Sequence, residues 1–404
     1  MLSIPIAKDI HWIGVNDRTT DLFEGMWPIT REGVSYNSFA IKDEKNVLVD
    51  LAKAFKTDEY VKRIDEIFPA DAIDYIVINH TEPDHTGALP ILCRLSPKAV
   101  ILCTEKARDM LESFYRLGDR VQVVSDGETL SIGKRTLVFY STPFLHWPET
   151  MMTYDKEDGI LFSCDAFGGY GALSGALYDD ICTNIAFYEE EALRYYANIV
   201  ALFSPMVTKA INRFVDMKLD IRMIAPSHGL VWRGNPGRII ELYAKWADYF
   251  KGNAEPGVTL LYASMYGNTE KYMNAVTQGI ADAGVRVDVF DVARQHVSYV
   301  LPAVLRNKGI MLGVPTYESG LFPPMAHQLD VVTRKNIRGR IAGIFGSYLW
   351  SGGAQKEFAG IAEKLKWDVR EAEEFAGSST AEQHKKAHAF GKAFGEAVAK
   401  EAAQ

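Results

Sequence analysis

The chain has 404 residues, 48% of them apolar and 24% charged, with a formal net charge of −8. That length exceeds what one hydrophobic core commonly supports, so two domains are expected. An acidic balance argues against nucleic acid as the main partner, since duplex binding needs clustered Lys and Arg.

Other features narrow the class further. No uninterrupted apolar run approaches the ~20 residues of a membrane helix, and Met1-Leu2-Ser3-Ile4-Pro5 lacks a basic segment followed by a long apolar stretch, so no secretory signal is expected. A cytoplasmic, non-membrane protein is the expectation. Cys93, Cys103, Cys164 and Cys182 form no C-x-x-C pair, which speaks against an iron–sulfur or rubredoxin-type centre within this chain. Electrons, if needed, would come from another protein.

In chain order, short apolar or alternating runs at Ile10 to Val15, Asn37 to Ile41, Asn46 to Leu51, Ile73 to Ile78 and Ala99 to Cys103 read as strands. Further strands are expected at Val121 to Val124, Arg135 to Tyr140, Met152 to Tyr154, Ile160 to Cys164 and Arg222 to Ala225. Helical patterns occur at Asp58 to Ile67, Glu105 to Tyr115 and Glu189 to Phe203. This mixture predicts a layered α/β or α+β domain over residues 1–251. The pattern breaks into helix-breaking and polar residues over a linker at 252–257. Beyond it, strands at Val258 to Ala263, Arg286 to Phe290, Gly309 to Gly313, Ile341 to Phe345 and Val369 to Glu371 alternate with helices, the last from about Thr380. Residues 258–404 therefore read as a doubly wound, five-stranded parallel sheet.

The densest chemistry is His80-Thr81-Glu82-Pro83-Asp84-His85, directly after the apolar run ending at Ile78. A loop held at a strand end can aim alternate side chains inward, and Pro83 disfavours helix through Glu82. Any one such residue would ordinarily be a surface or capping group, but four in six residues point to a metal site. Three further candidates lie at ends of expected strands: His146, Asp165 and His228. Cys164, beside Asp165, reads as a small buried core residue.

This order resembles the metallo-β-lactamase superfamily, with its H-x-H-x-D-H loop followed by a distant His, Asp and His. The resemblance implies a four-layer αββα sandwich with two metals at one edge. Glu82 stands where the hydrolases have their second histidine. A carboxylate there makes the site harder and more electron-donating, favouring iron or manganese over zinc. Three carboxylates and two divalent ions leave a net charge near +1. The H-x-E-x-D-H version is similar to that of the flavodiiron proteins. By that resemblance His80, Glu82 and His146 would bind one iron, Asp84, His85 and His228 the other, and Asp165 would bridge them. Trp147 and Tyr195 would lie in the pocket, Tyr195 as a hydrogen-bond donor to a bound diatomic.

In the second half, Ser264-Met265-Tyr266-Gly267-Asn268-Thr269 joins a strand to a helix from about Glu270. Two hydroxyls, a glycine and free N–H groups at a helix start make a phosphate-binding loop. Neither a P-loop nor a G-x-G-x-x-G fingerprint is present, so a lone monophosphate is the better guest. Two more loops follow strands: Pro315-Thr316-Tyr317-Glu318-Ser319-Gly320 and Ser347-Tyr348-Leu349-Trp350-Ser351-Gly352-Gly353. Their aromatics Tyr317, Tyr348 and Trp350 could pack on a flat ring, and their glycines admit its polar edge. This half looks like flavodoxin, which implies FMN, and the two halves together match the flavodiiron order.

The resemblance implies an oxidoreductase that reduces dioxygen to water, nitric oxide to nitrous oxide, or both. Electrons would pass from a separate donor, such as rubredoxin or a reduced deazaflavin, through FMN to the iron pair. It also implies a head-to-tail homodimer or dimer of dimers. The rival readings are a hydrolase using metal-bound hydroxide, disfavoured by Glu82 and the flavin half, and an FMN electron-carrier or redox-sensing module with an inert metal site.

Overall fold

A computed structural model describes residues 3–402. By compactness the chain separates between Ala244 and Lys245 into two units. Two sheets face each other in the first. The larger runs in the order Ile4–Ala7, Ile10–Trp12, Phe39–Ile41, Asn46–Val49, Ile73–Val77, Val100–Cys103 and Val121–Val123. Its first four strands pair antiparallel and the remainder parallel. The smaller sheet runs Thr129–Ser131, Thr136–Ser141, Met151–Asp155, Ile160–Cys164 and Met223–Pro226. Both inner faces are apolar: every residue of Met151–Asp155 and Ile160–Cys164 is buried, so these strands read as continuous rather than alternating runs. Helices cover the outer faces, giving the expected αββα sandwich.

Four of the strands end at one edge of the sandwich, and each leads into a segment carrying a candidate ligand. Asn79, just after Ile73–Val77, ties the two sheets together there. It gives its backbone N–H and its amide to Asp50 at 2.8 and 2.9 Å and accepts the Thr153 hydroxyl at 2.7 Å. The stretch after it is not all loop: Pro83–Thr86 makes one helical turn, with Pro83 in the first position that tolerates it and Glu82 extended in front. The helix expected over Glu189 to Phe203 starts earlier, at Ile185, and is α only to Tyr195; Tyr196–Val200 widens to a π segment and Ala201–Phe203 tightens to 3-10. Such widening repositions side chains at functional places.

The second unit is a parallel sheet in the order Arg286–Asp291, Glu255–Tyr262, Asn307–Gly313, Ile341–Tyr348 and Asp368–Ala376. Counting along the chain this is 2-1-3-4-5, the flavodoxin arrangement. The helix Ala381–Ala402 packs against Asn268–Asp282, burying Phe390, Phe394 and Val398 on Val276 and Ile280. The expected linker 252–257 overlaps the first strand, which starts at Glu255. Lys245 pairs with Glu255 at 2.8 Å, and the ladder shifts register between Glu255 and Val258, so Pro256 sits at an irregularity that needs no N–H.

Candidate metal and flavin sites

The seven expected ligands meet at the strand-end edge of the first unit. His80, Glu82, His146 and Asp165 form one donor group, and Asp84, His85 and His228 another. In the first, His80 Nε2 lies 3.2 Å from Glu82 Oε2 and 3.5 Å from Asp165 Oδ2. His146 Nε2 lies 3.4 and 3.3 Å from the same two oxygens. In the second, His228 Nε2 is 3.3 Å from both Asp84 Oδ2 and Asp165 Oδ1, and His85 Nε2 is 3.4 Å from Asp84 Oδ1 and 3.0 Å from Asp165 Oδ1. Asp165 thus turns Oδ2 to one group and Oδ1 to the other. Donors bonded at ~2.1 Å to one ion stand about 3.0–3.4 Å apart, so these spacings suit two ions sharing Asp165.

The chemistry of the donors agrees. Asp84 Oδ1 and Oδ2, Asp165 Oδ2 and His228 Nε2 are buried with no hydrogen-bond partner, which is costly unless a cation engages them. Burial opposes charge on the four histidines, Glu82 and Asp165, yet mutual attraction wins. Bonds from His146 and His80 hold the Glu82 carboxyl well below its ordinary range, and the histidines do the same for Asp165. Burial alone would lower the imidazoles, but Asp165 and Glu82 raise His146 to about 9, and Asp165 and Asp84 raise His228 to about 10. A field this favourable to protons on nitrogen is equally favourable to divalent cations. Cys164 is buried as expected, and burial pushes its thiol up.

Around the candidate ligands lies an aromatic wall. Tyr195, fully buried, stands edge-on to Tyr170 at 5.1 Å and tilted to His228 at 5.7 Å; burial keeps its phenol protonated. Trp147 is edge-on to His80 at 5.0 Å. Sequence reasoning missed Phe23 and Tyr36, whose rings also meet His228 edge-on at 5.4 and 5.6 Å. Phe23 arrives on a hairpin of two-residue strands, Leu22–Phe23 and Trp27–Pro28, too short to show any periodicity. It also missed Glu149, whose Oε1 accepts from His80 Nδ1 at 2.7 Å and from the Thr81 N–H and hydroxyl at 3.1 and 2.8 Å. Burial opposes ionisation of Glu149, and the His80 bond outweighs it, holding the carboxyl low. A carboxylate three residues after His146 was the available signal.

In the second unit the three expected loops converge at the carboxyl ends of adjacent strands. Gly267, at a left-handed φ of 83°, precedes the helix Asn268–Asp282, so Asn268 and Thr269 belong to its first turn rather than to the loop. Ser264 Oγ accepts the Gly267 N–H at 3.0 Å, and the Thr269 and Ser347 hydroxyls meet at 3.1 Å. Space is open where a Gly267 side chain would be. A helix start with hydroxyls on both sides fits a phosphate. Thr316–Tyr317 and Gly320–Leu321 form a small hairpin behind Pro315, and Thr316 Oγ1 takes the Ala354 N–H at 3.5 Å, after Gly352 and Gly353. Tyr348 ends a strand, while Ser351 meets Ser319 at 3.4 Å. Trp350 and Tyr266 are 89% and 87% exposed, as aromatics awaiting a flat partner would be. His384 and His388 bond separately to Ser379 and Asp282.

A two-ion αββα sandwich followed in one chain by a flavodoxin-type sheet defines an oxidoreductase that uses a metal pair and a flavin. Comparison with known proteins agrees. Residues 34–229 match the ODP family beta lactamase model and residues 260–389 the flavodoxin model. The chain is 40% identical to the anaerobic nitric oxide reductase flavorubredoxin of Aeromonas hydrophila over 357 residues, 87% of this chain and 71% of that one. It is 41% identical to the protein of that description from Escherichia coli over 358 residues, 87% and 74% of the two chains. Among solved structures, rubredoxin oxygen:oxidoreductase from Desulfovibrio gigas superposes with a TM-score of 0.94 at 28% identity, covering 100% of both chains. The flavodiiron protein of Giardia intestinalis gives 0.93 at 29%, covering 100% of this chain and 98% of that one. The chain belongs to the flavodiiron protein family, whose members carry a diiron centre and FMN. Among the described residues no helix is long and apolar enough to cross a membrane.

Proposed function

We propose that this protein is a cytoplasmic reductase of small oxidised gases. It would couple two nitric oxide molecules to nitrous oxide and water with two electrons and two protons, or reduce dioxygen to two waters with four of each. The observation that carries this reading is Asp165, whose two oxygens face two donor groups of which one includes the Glu82 carboxylate. Reduced FMN and an iron pair supply two electrons each, four in all.

The chain's part is to hold, orient and exclude. His80, Glu82 and His146 would hold one iron, Asp84, His85 and His228 the second, with Asp165 between them. Tyr195 would offer its phenolic proton to the bound diatomic, while Trp147, Phe23 and Tyr36 wall off water. Ser264, Met265, Tyr266, Gly267, Asn268 and Thr269 would hold the FMN phosphate. Pro315, Thr316, Tyr317, Gly320, Ser347, Tyr348, Trp350, Ser351, Gly352 and Gly353 would hold its ring. The names of the relatives support nitric oxide and dioxygen as substrates and rubredoxin as a donor; a reduced deazaflavin is the alternative donor. Exposure of Trp350, Tyr266 and Leu349 at 89%, 87% and 70% supports docking of the flavin face onto a second copy, as in a head-to-tail dimer or dimer of dimers.

Metal and flavin analysis, followed by anaerobic mixing of reduced protein with each gas, tests the reading. Two irons and one FMN per chain, both reoxidised within the turnover time, is the expected result. Zinc without iron, or a flavin that reoxidises while the iron does not, would overturn it.

A further inference from the structure

We propose that Glu149 makes the two iron positions unequal, so that removing one electron from the reduced pair leaves the ferric ion at the His80, Glu82 and His146 position. The inference rests on the ligand assignment proposed above. On that assignment the two positions carry matching ligand charge. Each has one carboxylate of its own, Glu82 or Asp84, and they share Asp165. What differs is the group behind the imidazoles.

His80 is the ligand backed by an anion. A carboxylate only accepts, so the 2.7 Å contact places the proton on His80 Nδ1 and leaves Nε2 as the metal donor, facing Glu82 and Asp165. Glu149 is 1% exposed, and its Oε1 is fixed by three donors, two of them from Thr81. On the other side the ring hydrogen-bond acceptors are neutral or missing, and the buried Asp50 carboxyl is engaged by Asn79 and Ser227 rather than by either imidazole. His228 Nδ1 gives its proton to the Ser35 carbonyl at 2.7 Å, and His85 Nδ1 is buried with no hydrogen-bond partner.

A carboxylate bonded to the far nitrogen raises the basicity of a ligating imidazole, and in a buried site its charge acts at short range with little screening. Both effects favour the higher charge at the nearer metal. The electron exchange is internal: one iron loses an electron, its neighbour gains it, and the total is unchanged. An iron held by Asp84, His85 and His228 would then stay ferrous longest.

The test uses full-length protein loaded with iron, half-oxidised anaerobically with a one-electron chemical oxidant, and read by electron paramagnetic resonance, Mössbauer spectroscopy and redox titration. Glu149→Gln keeps an acceptor oxygen for His80 and Thr81 and removes the charge. The wild type should give one mixed-valent species. E149Q should change the distribution between the two valence arrangements at least tenfold, about 59 mV for one electron, and raise the first midpoint. The quadrupole doublet that E149Q perturbs should be the ferric one; perturbation of the ferrous doublet alone would overturn the proposal. Thr81→Val leaves Glu149 charged but removes a donor from it, so the midpoint should move down; this variant decides the matter if E149Q does not retain iron. Two variants indistinguishable from wild type overturn this proposal alone. A wild-type protein that holds no iron pair overturns the ligand assignment with it.

Discussion

Gly353→Ala probes the flavin site at the point where its loops close. Gly353 has φ near 146°, and a Cβ built on it would lie 2.0 Å from the Ser319 carbonyl oxygen and 2.4 Å from its carbon. Contacts under 3.0 Å are essentially never seen for a real Cβ, so Ser319 must retreat by about 1 Å or the 346–353 loop must lift. Neither neighbour is a flexible side chain, and the left-handed φ adds strain of about 1–3 kcal/mol. Both loops are proposed to hold the FMN ring, so misplacing either weakens binding. A penalty of about 2 kcal/mol corresponds to roughly a 30-fold rise in Kd. Apoprotein titrated with FMN, followed by quenching of flavin fluorescence, reads this directly, and iron content should not change because the proposed iron ligands lie in the other unit. An affinity within threefold of wild type would show that these loops do not hold the ring.

Other substitutions test the remaining parts. Glu82→His restores the hydrolase-type histidine, so protein loaded from an equimolar iron and zinc mixture should shift towards zinc; an unchanged metal ratio would contradict the role given to that carboxylate. Tyr195→Phe should keep both cofactors and lower kcat with nitric oxide by about tenfold, the loss of one hydrogen bond of about 1.5 kcal/mol, and equal turnover would remove the donor role. Arg340 is buried and donates to the carbonyls of Leu305, Tyr249, Arg338 and Val304 at 2.7, 2.9, 2.8 and 3.3 Å. Arg340→Met orphans these groups while relieving a buried charge, for a net loss of about 3 kcal/mol. In a unit of this size that lowers the melting temperature by about 6–12 °C, read by FMN release on heating; a shift below 2 °C would contradict the account.

The candidate ligands were legible because each follows a strand, and a strand end is a place the sequence marks with an apolar run and a stop. The two-unit order and the five-stranded parallel sheet were legible for the same reason. Partners across the fold were not. Glu149 and Thr81 lie 68 positions apart and meet through packing of the two sheets, which no local pattern records. The helical turn at Pro83–Thr86 escaped notice because four residues give no period. Tyr195 sits where α geometry gives way to π, and the apolar run Tyr195-Tyr196-Ala197-Asn198-Ile199 carries no cue to that change. The start of the second unit was misjudged because Pro256 and Gly257 look like a linker, whereas the ion pair of Lys245 with Glu255 begins the strand ahead of them.

The proposed electron path runs from FMN to the iron pair and ends on a bound gas. Protein holding two irons and one FMN, reduced anaerobically with four electrons, is mixed with excess nitric oxide, and the nitrous oxide formed is counted against the electrons lost from flavin and iron. One nitrous oxide is expected for every two electrons, with iron and flavin both reoxidised. Reoxidised flavin with ferrous iron still in place and no nitrous oxide would contradict it.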